Sequence, residues 1–263
     1  MNEKKSIRIA AIGDIHYTKN CKGRLQGVFT EASRKADILL ICGDFTDYGL
    51  PEEASILAED LKSYVHIPAI GVIGNHDFES GRVSEVQSIL KETGLTLLDG
   101  ESVEFLDVGF AGVCGFGGGF APHMLNAWGE PIIKDFVQET INHALSLEKA
   151  LARVESAKRV VLLHYSPTRE TVEGESPEIY PFLGSSRLEQ AIDQFEVSVV
   201  FHGHAHNGKA QGKTSHGVPV FNVALPVTAR AAPSRVATPS THERPPDPPS
   251  ACCRQRSRAL RCR

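Results

Sequence analysis

Five short runs of apolar residues most constrain what this chain can fold into. They are almost continuous and rich in Ile, Val and Leu, which is typical of strands covered on both faces. Such strands need helices or a second sheet on each side, so the runs predict a layered α/β fold. The runs lie at residues 7–12, 36–42, 67–73, 159–164 and 197–201.

The segments between these runs carry the spacing of amphipathic helices. Apolar residues recur at intervals of three and four with charged residues between them, which predicts helices at 24–35, 52–64, 82–92, 134–156 and 186–195. Three shorter pieces between 95 and 116 predict antiparallel hairpins, and 218–225 predicts another strand. Together these elements indicate a layered α/β sandwich with two packed sheets.

The composition divides the chain into a domain and a tail. The 263 residues, 41% of them hydrophobic, suffice for one large core, which we place in a domain at 1–228. The Arg- and Pro-rich tail at 229–263 has few large apolar residues, and we expect it to be disordered or non-native. It holds eight Arg against Glu243 and Asp247, so the domain carries 20 basic and 30 acidic side chains. The alternative function for this tail is a tether to nucleic acid or membrane.

The apolar and cysteine content bears on location. No run approaches the roughly 20 apolar residues of a membrane span, and the first apolar run is too short for a signal peptide. The six Cys lack paired metal-type spacing, which suits a reducing compartment. We therefore expect a soluble, cytoplasmic protein without a membrane partner.

Each apolar run leads into residues that can bind metal ions. The carboxyl ends of neighbouring strands meet in one crevice, so these residues are expected to converge. Carboxylate, imidazole and amide donors without a thiolate suit Mn, Fe, Zn, Co or Ni better than Ca, and the sequence does not choose among them. Asp14 and His16, two residues apart in an extended segment, would point to the same side and could bind one cation. A carboxylate at Asp44 could bridge two cations. The motifs are GDIH at 13–16, GDFTD at 43–47, GNHD at 74–77, His164, and GHAH at 203–206.

This ordered set of motifs, within residues 7–225, resembles the calcineurin-like metallophosphoesterase superfamily. The resemblance implies a four-layer α-β-β-α sandwich with two mixed sheets flanked by helices. It also implies a hydrolase with two divalent metal ions, in which a metal-bound hydroxide attacks phosphorus. One ion would be held by Asp14, His16, Asp44 and His206, and the other by Asp44, Asn75, His164 and His204. His76 would act as the acid or phosphate-contacting residue, oriented by Asp47.

Departures from the branches of this superfamily narrow the substrate. The protein phosphatases carry Arg directly after GDFTD-type motifs, whereas Tyr48 stands here. The acidic domain lacks the positive field that nucleic-acid binding favours. A small phosphate ester remains, with a phosphodiester slightly favoured over a phosphomonoester. The alternative to an enzyme is a non-catalytic metal-binding scaffold, although every ligand position is filled here. The sequence does not determine the oligomeric state.

Aromatic residues in two loop segments are candidates for a substrate pocket. Phe116, Phe120 and Trp128 lie in a Gly-rich segment at 115–131, and Tyr180 and Phe182 lie at 175–186. These rings could stack a base or hold an apolar leaving group. Surface loops that pack their own aromatic residues are the equal alternative.

Overall fold

Two β-sheets packed face to face between helices make up the computed structural model, which describes residues 6–230. The predicted tail at 229–263 lies, apart from its first two residues, outside the described residues. The strands are β1 (Ile9–Ile12), β2 (Ile38–Cys42), β3 (Ala69–Val72), β4 (Thr96–Leu97), β5 (Glu101–Phe105), β6 (Val108–Val113), β7 (Lys158–Leu163), β8 (Val199–His202), β9 (Gln211–Lys213) and β10 (Pro219–Asn222). The helices are α1 (Gln26–Lys35), α2 (Pro51–Tyr64), α3 (Val83–Lys91), α4 (Pro131–Ala152), α5 (Tyr180–Leu183), α6 (Ser186–Ile192) and α7 (Leu225–Arg230).

The two sheets differ in strand direction. The first has four strands in the order β1-β2-β3-β4, and all its pairs are parallel. The second has six strands in the order β5-β6-β7-β8-β10-β9, with antiparallel pairs at both ends and parallel pairs between them. The predicted pair of sheets flanked by helices is confirmed. In the described residues, however, only the second sheet is mixed.

Alternation along the strands explains the layers. In β2, Ile38, Leu40 and Cys42 pack toward the second sheet, whereas Leu39 and Ile41 pack in the cluster that includes the helical residues of α1, α2 and α3. Successive side chains on a strand point to opposite faces, so a wholly apolar strand buries both. The second sheet is covered on its outer face by α4 and α6. The result is the four-layer order helix, sheet, sheet, helix.

The helix predictions agree with the structure to within a few residues. Helix α2 begins at Pro51, whose lack of an N–H costs nothing in the first turn. The Glu53 carboxylate accepts hydrogen bonds from the backbone N–H groups of Tyr48 and Leu50, at 2.9 and 3.4 Å, and so satisfies donors at this helix start.

The hairpin prediction for residues 95–116 was wrong in part. Only β5 and β6 form an antiparallel hairpin, while β4 is parallel to β3 and closes the first sheet. The chain therefore changes sheets between β4 and β5, a step that local sequence does not encode. Strand β9 was also missed, because its three residues are polar or Gly and carry no apolar pattern.

The first sheet meets the second at the ends of β1 and β10. The backbone N–H of Gly13 donates to the carbonyl of Val223 at 2.9 Å, and the N–H of Leu225 donates to the carbonyl of Gly13 at 2.9 Å. These bonds bring the carboxyl ends of strands from both sheets to one place. The predicted metal-binding motifs follow these strand ends.

Candidate functional site

The seven predicted ligands come together at the carboxyl ends of five strands. Parallel strands present these ends at the same edge of a sheet, and the contact between β1 and the end of β10 joins the two edges. The ligands are Asp14 and His16 after β1, Asp44 after β2, Asn75 after β3, His164 after β7, and His204 and His206 after β8.

The backbone at four of these ligands lies in the left-handed region. The φ angles are 55° at Asp14, 42° at His16, 51° at Asp44 and 69° at His204. The expectation that Asp14 and His16 project from an extended segment was therefore wrong, because β1 ends at Ile12. Left-handed backbone is costly for residues with a Cβ and persists where surrounding structure imposes it. Here the N–H groups of Asp14 and His16 are held by the carbonyls of Gly43 and Asp44, each at 3.0 Å.

Close packing explains two of the glycines that precede ligands. A Cβ on Gly43, whose φ is +83°, would lie 2.3 Å from His164 Nδ1. A Cβ on Gly74 would lie 2.2 Å from the backbone N of Asp44. Glycine at these positions lets ligands from different strands approach one another.

The first group of candidate ligands comprises Asp14, His16, Asp44 and His206. One ligand atom from each lies within 4.8 Å of the others. His206 Nε2 is 2.8 Å from Asp14 Oδ1, and His16 Nε2 is 3.7 Å from Asp44 Oδ2. Hydrogen bonding to Asp14 raises the pKa of His206. Both carboxylates are almost fully buried, at 1% exposure.

The second group comprises Asp44, His164 and His204, with Asn75 beside them. His164 Nδ1 lies 3.0 Å from the carbonyl of Cys42, which can only accept, so Nδ1 carries the proton. Its Nε2 lone pair then faces Asn75 Oδ1 at 2.8 Å and Asp44 Oδ1 at 3.4 Å. Three acceptor atoms that converge in this way are satisfied by a cation or a shared proton.

His204 and His16 each have a ring nitrogen that could bind a metal ion. His204 Nε2 donates to the carbonyl of Phe182 at 3.0 Å, which leaves Nδ1 as the ligand atom. Burial lowers the pKa of His204 to about 3, with the nearby His164 adding to the effect, so its ring is neutral as metal binding requires. Among residues 6–230, neither ring nitrogen of His16 has a hydrogen-bond partner of acceptable geometry.

The charges of the buried carboxylates also fit a cation. Burial raises the pKa of Asp44, and the neighbouring Asp14 carboxylate contributes to the rise. Two ionised carboxylates in a buried space repel each other unless positive charge lies between them. The donor set of oxygen and nitrogen atoms therefore fits divalent cations in both groups.

His76 and Asp47 lie beside the first group. His76 Nδ1 donates to the backbone carbonyl of Asp47 at 2.7 Å. The Asp47 carboxylate instead faces His16, with 3.2 Å between Asp47 Oδ1 and His16 Nδ1, although the geometry is not that of a hydrogen bond. Any orientation of His76 by Asp47 thus acts through the main chain. The carbonyl places the proton on Nδ1 and leaves His76 Nε2 as the second ring nitrogen.

Asp77 has a role that the sequence reasoning missed. It is fully buried and accepts hydrogen bonds from Thr46 N at 2.9 Å, Thr46 Oγ1 at 2.6 Å and Gly74 N at 3.0 Å. Through these bonds it joins the loops after β2 and β3. Burial raises its pKa, as does the charge of Asp44. The residue types around Asp77, including Phe78, do not indicate that its side chain is buried or that it makes these contacts.

His202 and Glu175 support the loop after β8. Burial lowers the pKa of His202 to about 4, and its Nε2 lies 2.8 Å from Thr171 Oγ1. The Glu175 carboxylate accepts from Asn207 N at 2.6 Å and Asn207 Nδ2 at 3.0 Å. These contacts hold the segment that carries His204 and His206. Nothing in the spacing of Glu175 indicated this contact.

The fold and the donor set define an α/β sandwich with a metal-binding crevice. The chain belongs to the calcineurin-like phosphoesterase family, whose sequence model matches residues 7–208. A curated relative is a 3',5'-cyclic-nucleotide phosphodiesterase of Nostoc sp. (strain PCC 7120), 39% identical over 89 residues. That match covers 29% of this chain and 33% of the relative, so the chain spans about a third of the length of the relative.

Solved structures share the fold. The phosphopantetheinyl hydrolase of Mycobacterium tuberculosis superposes with a TM-score of 0.67 at 14% identity, covering 91% of this chain and 99% of that one. TT1561 of Thermus thermophilus has a TM-score of 0.53 at 15% identity, covering 83% and 89%. GAP50, described as the anchor in the inner membrane complex of Plasmodium, has a TM-score of 0.51 at 11% identity, covering 84% of this chain and 72% of that one.

In the described part of this chain, no helix has the length and apolar character needed to cross a bilayer.

Proposed function

We propose that this protein is a phosphoesterase that uses two divalent metal ions to hydrolyse a small phosphate ester. The observation that carries the proposal is the sharing of Asp44 between two groups of ligands. A buried carboxylate placed between two cations can offset their repulsion with both oxygen atoms. The acceptor atoms of His164 and Asn75 that face Asp44 support a cation in the second group.

The chain's own residues supply positioning and proton transfer. Two bound cations would lower the pKa of a coordinated water and neutralise charge on the phosphoryl oxygens. Asp14 and Asp44 provide the buried negative charge that holds such ions. His76, with Nδ1 bonded to the Asp47 carbonyl, is suited to hold a proton at Nε2 and donate it to the leaving oxygen. This proton prevents the leaving group from departing as an alkoxide.

Two observations favour a phosphodiester over a phosphomonoester. The curated relative acts on 3',5'-cyclic nucleotides, which are phosphodiesters, although it matches only 89 residues. Tyr48 stands where protein phosphatases of this superfamily carry Arg, which weakens the protein-phosphatase alternative. Mn, Fe, Zn, Co and Ni all suit the mixed oxygen and nitrogen donors.

The proposal is tested by metal-dependent hydrolysis. The protein is stripped with chelator, reloaded with Mn²⁺, and assayed with p-nitrophenyl phosphate and bis(p-nitrophenyl) phosphate. We expect turnover of the diester to require metal and to disappear in Asp44→Asn, in which the shared carboxylate becomes a neutral amide. Calorimetric titration with Mn²⁺ should give two sites in the wild type and fewer in the variant. Normal turnover by Asp44→Asn refutes the proposal, and two bound ions without turnover of either ester favours the scaffold hypothesis.

A further inference from the structure

Four aromatic side chains form a continuous surface that begins at the candidate ligand His204. The centroid distances are 4.3 Å from His204 to Tyr165, 5.9 Å from Tyr165 to Phe116, 4.9 Å from Phe116 to Phe136, and 6.0 Å from Phe136 to Phe182. We call Tyr165, Phe116, Phe136 and Phe182 the aromatic wall.

The aromatic wall is partly open to solvent, and the residues at its two ends both contact His204. Phe182 is 59% exposed, and the other three rings are neither fully buried nor fully exposed. The backbone carbonyl of Phe182 accepts the hydrogen bond from His204 Nε2 at 3.0 Å. Tyr165 therefore contacts this candidate ligand through its ring, and Phe182 contacts it through its backbone. Partly exposed aromatic side chains grouped beside a candidate metal-binding crevice are typical of a ligand surface.

The aromatic wall lies at one end of the ligand array, and His76 lies at the other. Tyr165 contacts the rings of His164 and His204, which belong to the second group of ligands. The ring of His76 contacts His16, at 4.5 Å between centroids, in the first group. Asp44 stands between them, since it faces His164 Nε2 at 3.4 Å and accepts from the His76 backbone N–H at 2.9 Å.

We propose, resting on the proposed function, that the substrate is a phosphodiester with one aromatic ester group, and that the aromatic wall binds this group. A phosphorus atom above Asp44 would direct one ester group toward Tyr165 and the other toward His76. A phosphomonoester has a single ester group and would leave one of these two ends without a substituent. Because His76 donates its proton to the departing oxygen, the ester group at the His76 end leaves. The aromatic wall, at the other end, binds the ester group that stays on phosphorus.

Hydrolysis replaces the alcohol at the His76 end of the phosphodiester with water. The oxygen of water forms a new bond to phosphorus, and the P–O bond to the alcohol at the His76 end breaks. The proton from His76 goes to the departing oxygen, and a proton from the attacking water restores His76. The products are an alcohol and a phosphomonoester that still carries the aromatic group on the wall.

The test compares retained groups while the leaving group is constant. Phenyl p-nitrophenyl phosphate and methyl p-nitrophenyl phosphate release the same p-nitrophenol, so a difference in kcat/KM reports the retained group. A stacked aromatic contact changes this ratio by about tenfold, so we expect the wild type to prefer the phenyl ester by that factor. In Phe182→Ala the preference should fall toward one. The matched control Phe78→Ala removes another exposed aromatic ring, at the His76 end, and should keep the preference.

Equilibrium binding gives a second reading that does not depend on turnover. Phenylphosphonate and methylphosphonate have a P–C bond that hydrolysis does not cleave, and their affinities are measured by calorimetry on the metal-loaded protein. We expect phenylphosphonate to bind about tenfold more tightly to the wild type and to Phe78→Ala, but not to Phe182→Ala. An unchanged melting temperature in Phe182→Ala would show that the fold is intact, as its exposure leads us to expect.

Failure of this inference is distinguishable from failure of the proposed function. Equal affinity for the two phosphonates in the wild type, or an unchanged ratio in Phe182→Ala, refutes the aromatic wall as a binding surface. Faster hydrolysis of p-nitrophenyl phosphate than of either diester refutes the diester assignment but keeps a phosphoesterase. Absence of turnover with all three esters, despite bound metal, refutes the proposed function, while the phosphonate ratio still tests the wall.

Discussion

Replacing Asp77 with Ala should destabilise the protein strongly although Asp77 is not among the candidate ligands. The change removes the acceptor for Thr46 N, Thr46 Oγ1 and Gly74 N, all within 3.0 Å. A buried donor left without a partner costs about 1–3 kcal/mol, and the loss of an unfavourably buried carboxylate offsets part of the sum. We therefore expect the free energy of unfolding to fall by about 3–5 kcal/mol.

The assay is urea unfolding of the metal-free protein, followed by circular dichroism. The matched control is Glu79→Ala, because Glu79 is an exposed acid two residues away and should change stability by about 0.5 kcal/mol or less. A double-mutant cycle between Thr46→Val and Asp77→Ala isolates the hydroxyl contact and should give a coupling of about 1–3 kcal/mol.

Two outcomes would refute this reasoning. A loss below about 1 kcal/mol in Asp77→Ala would mean that the buried donors find other partners. A coupling near zero with Thr46→Val would mean that the 2.6 Å contact adds nothing to stability. We also expect weaker Mn²⁺ binding in Asp77→Ala, since the loops it joins carry Asp44 and Asn75.

Two further predictions concern the site. His76→Ala should lower kcat by about 10²–10⁴-fold while two Mn²⁺ sites remain by calorimetry, because the role proposed for His76 is to donate a proton and not to bind an ion. Loss of a metal site would contradict this role. Gly43→Ala should lower both the melting temperature and the metal stoichiometry, since its Cβ would lie 2.3 Å from His164 Nδ1 and φ is +83°. A variant with the stability and metal content of the wild type would show that the close packing is not required; the matched control is Gly23→Ala, which also has positive φ but an open surrounding.

The sequence predicted the layers and the convergence of the candidate ligands for a simple reason. Strands buried on both faces must be continuously apolar, so a polar residue directly after such a strand stands out. Asp44 after β2 and His164 after β7 are examples. Their convergence followed from the geometry of parallel strands and needed no knowledge of the loops.

The local backbone conformations and the contacts between loops could not be predicted from the sequence. Asp14 and His16 were expected on an extended segment, but both take left-handed backbone that hydrogen bonds from the loop after β2 impose. Asp47 was expected to orient His76, and the contact is made by its carbonyl, which every residue type possesses. Side-chain identity carries no information about such main-chain contacts.

The sequence by itself determined which residues could bind metal and in which layers the chain would fold, because residue chemistry and apolar periodicity are local properties. Only the tertiary structure decided that β4 joins the first sheet, that Asp77 ties two loops together, and that Phe182 reaches His204. These contacts join segments distant in the chain, and they depend on the packing of two sheets against each other. The positions of the candidate ligands come from the strands, whereas the shape of the crevice comes from the loops that this packing brings together.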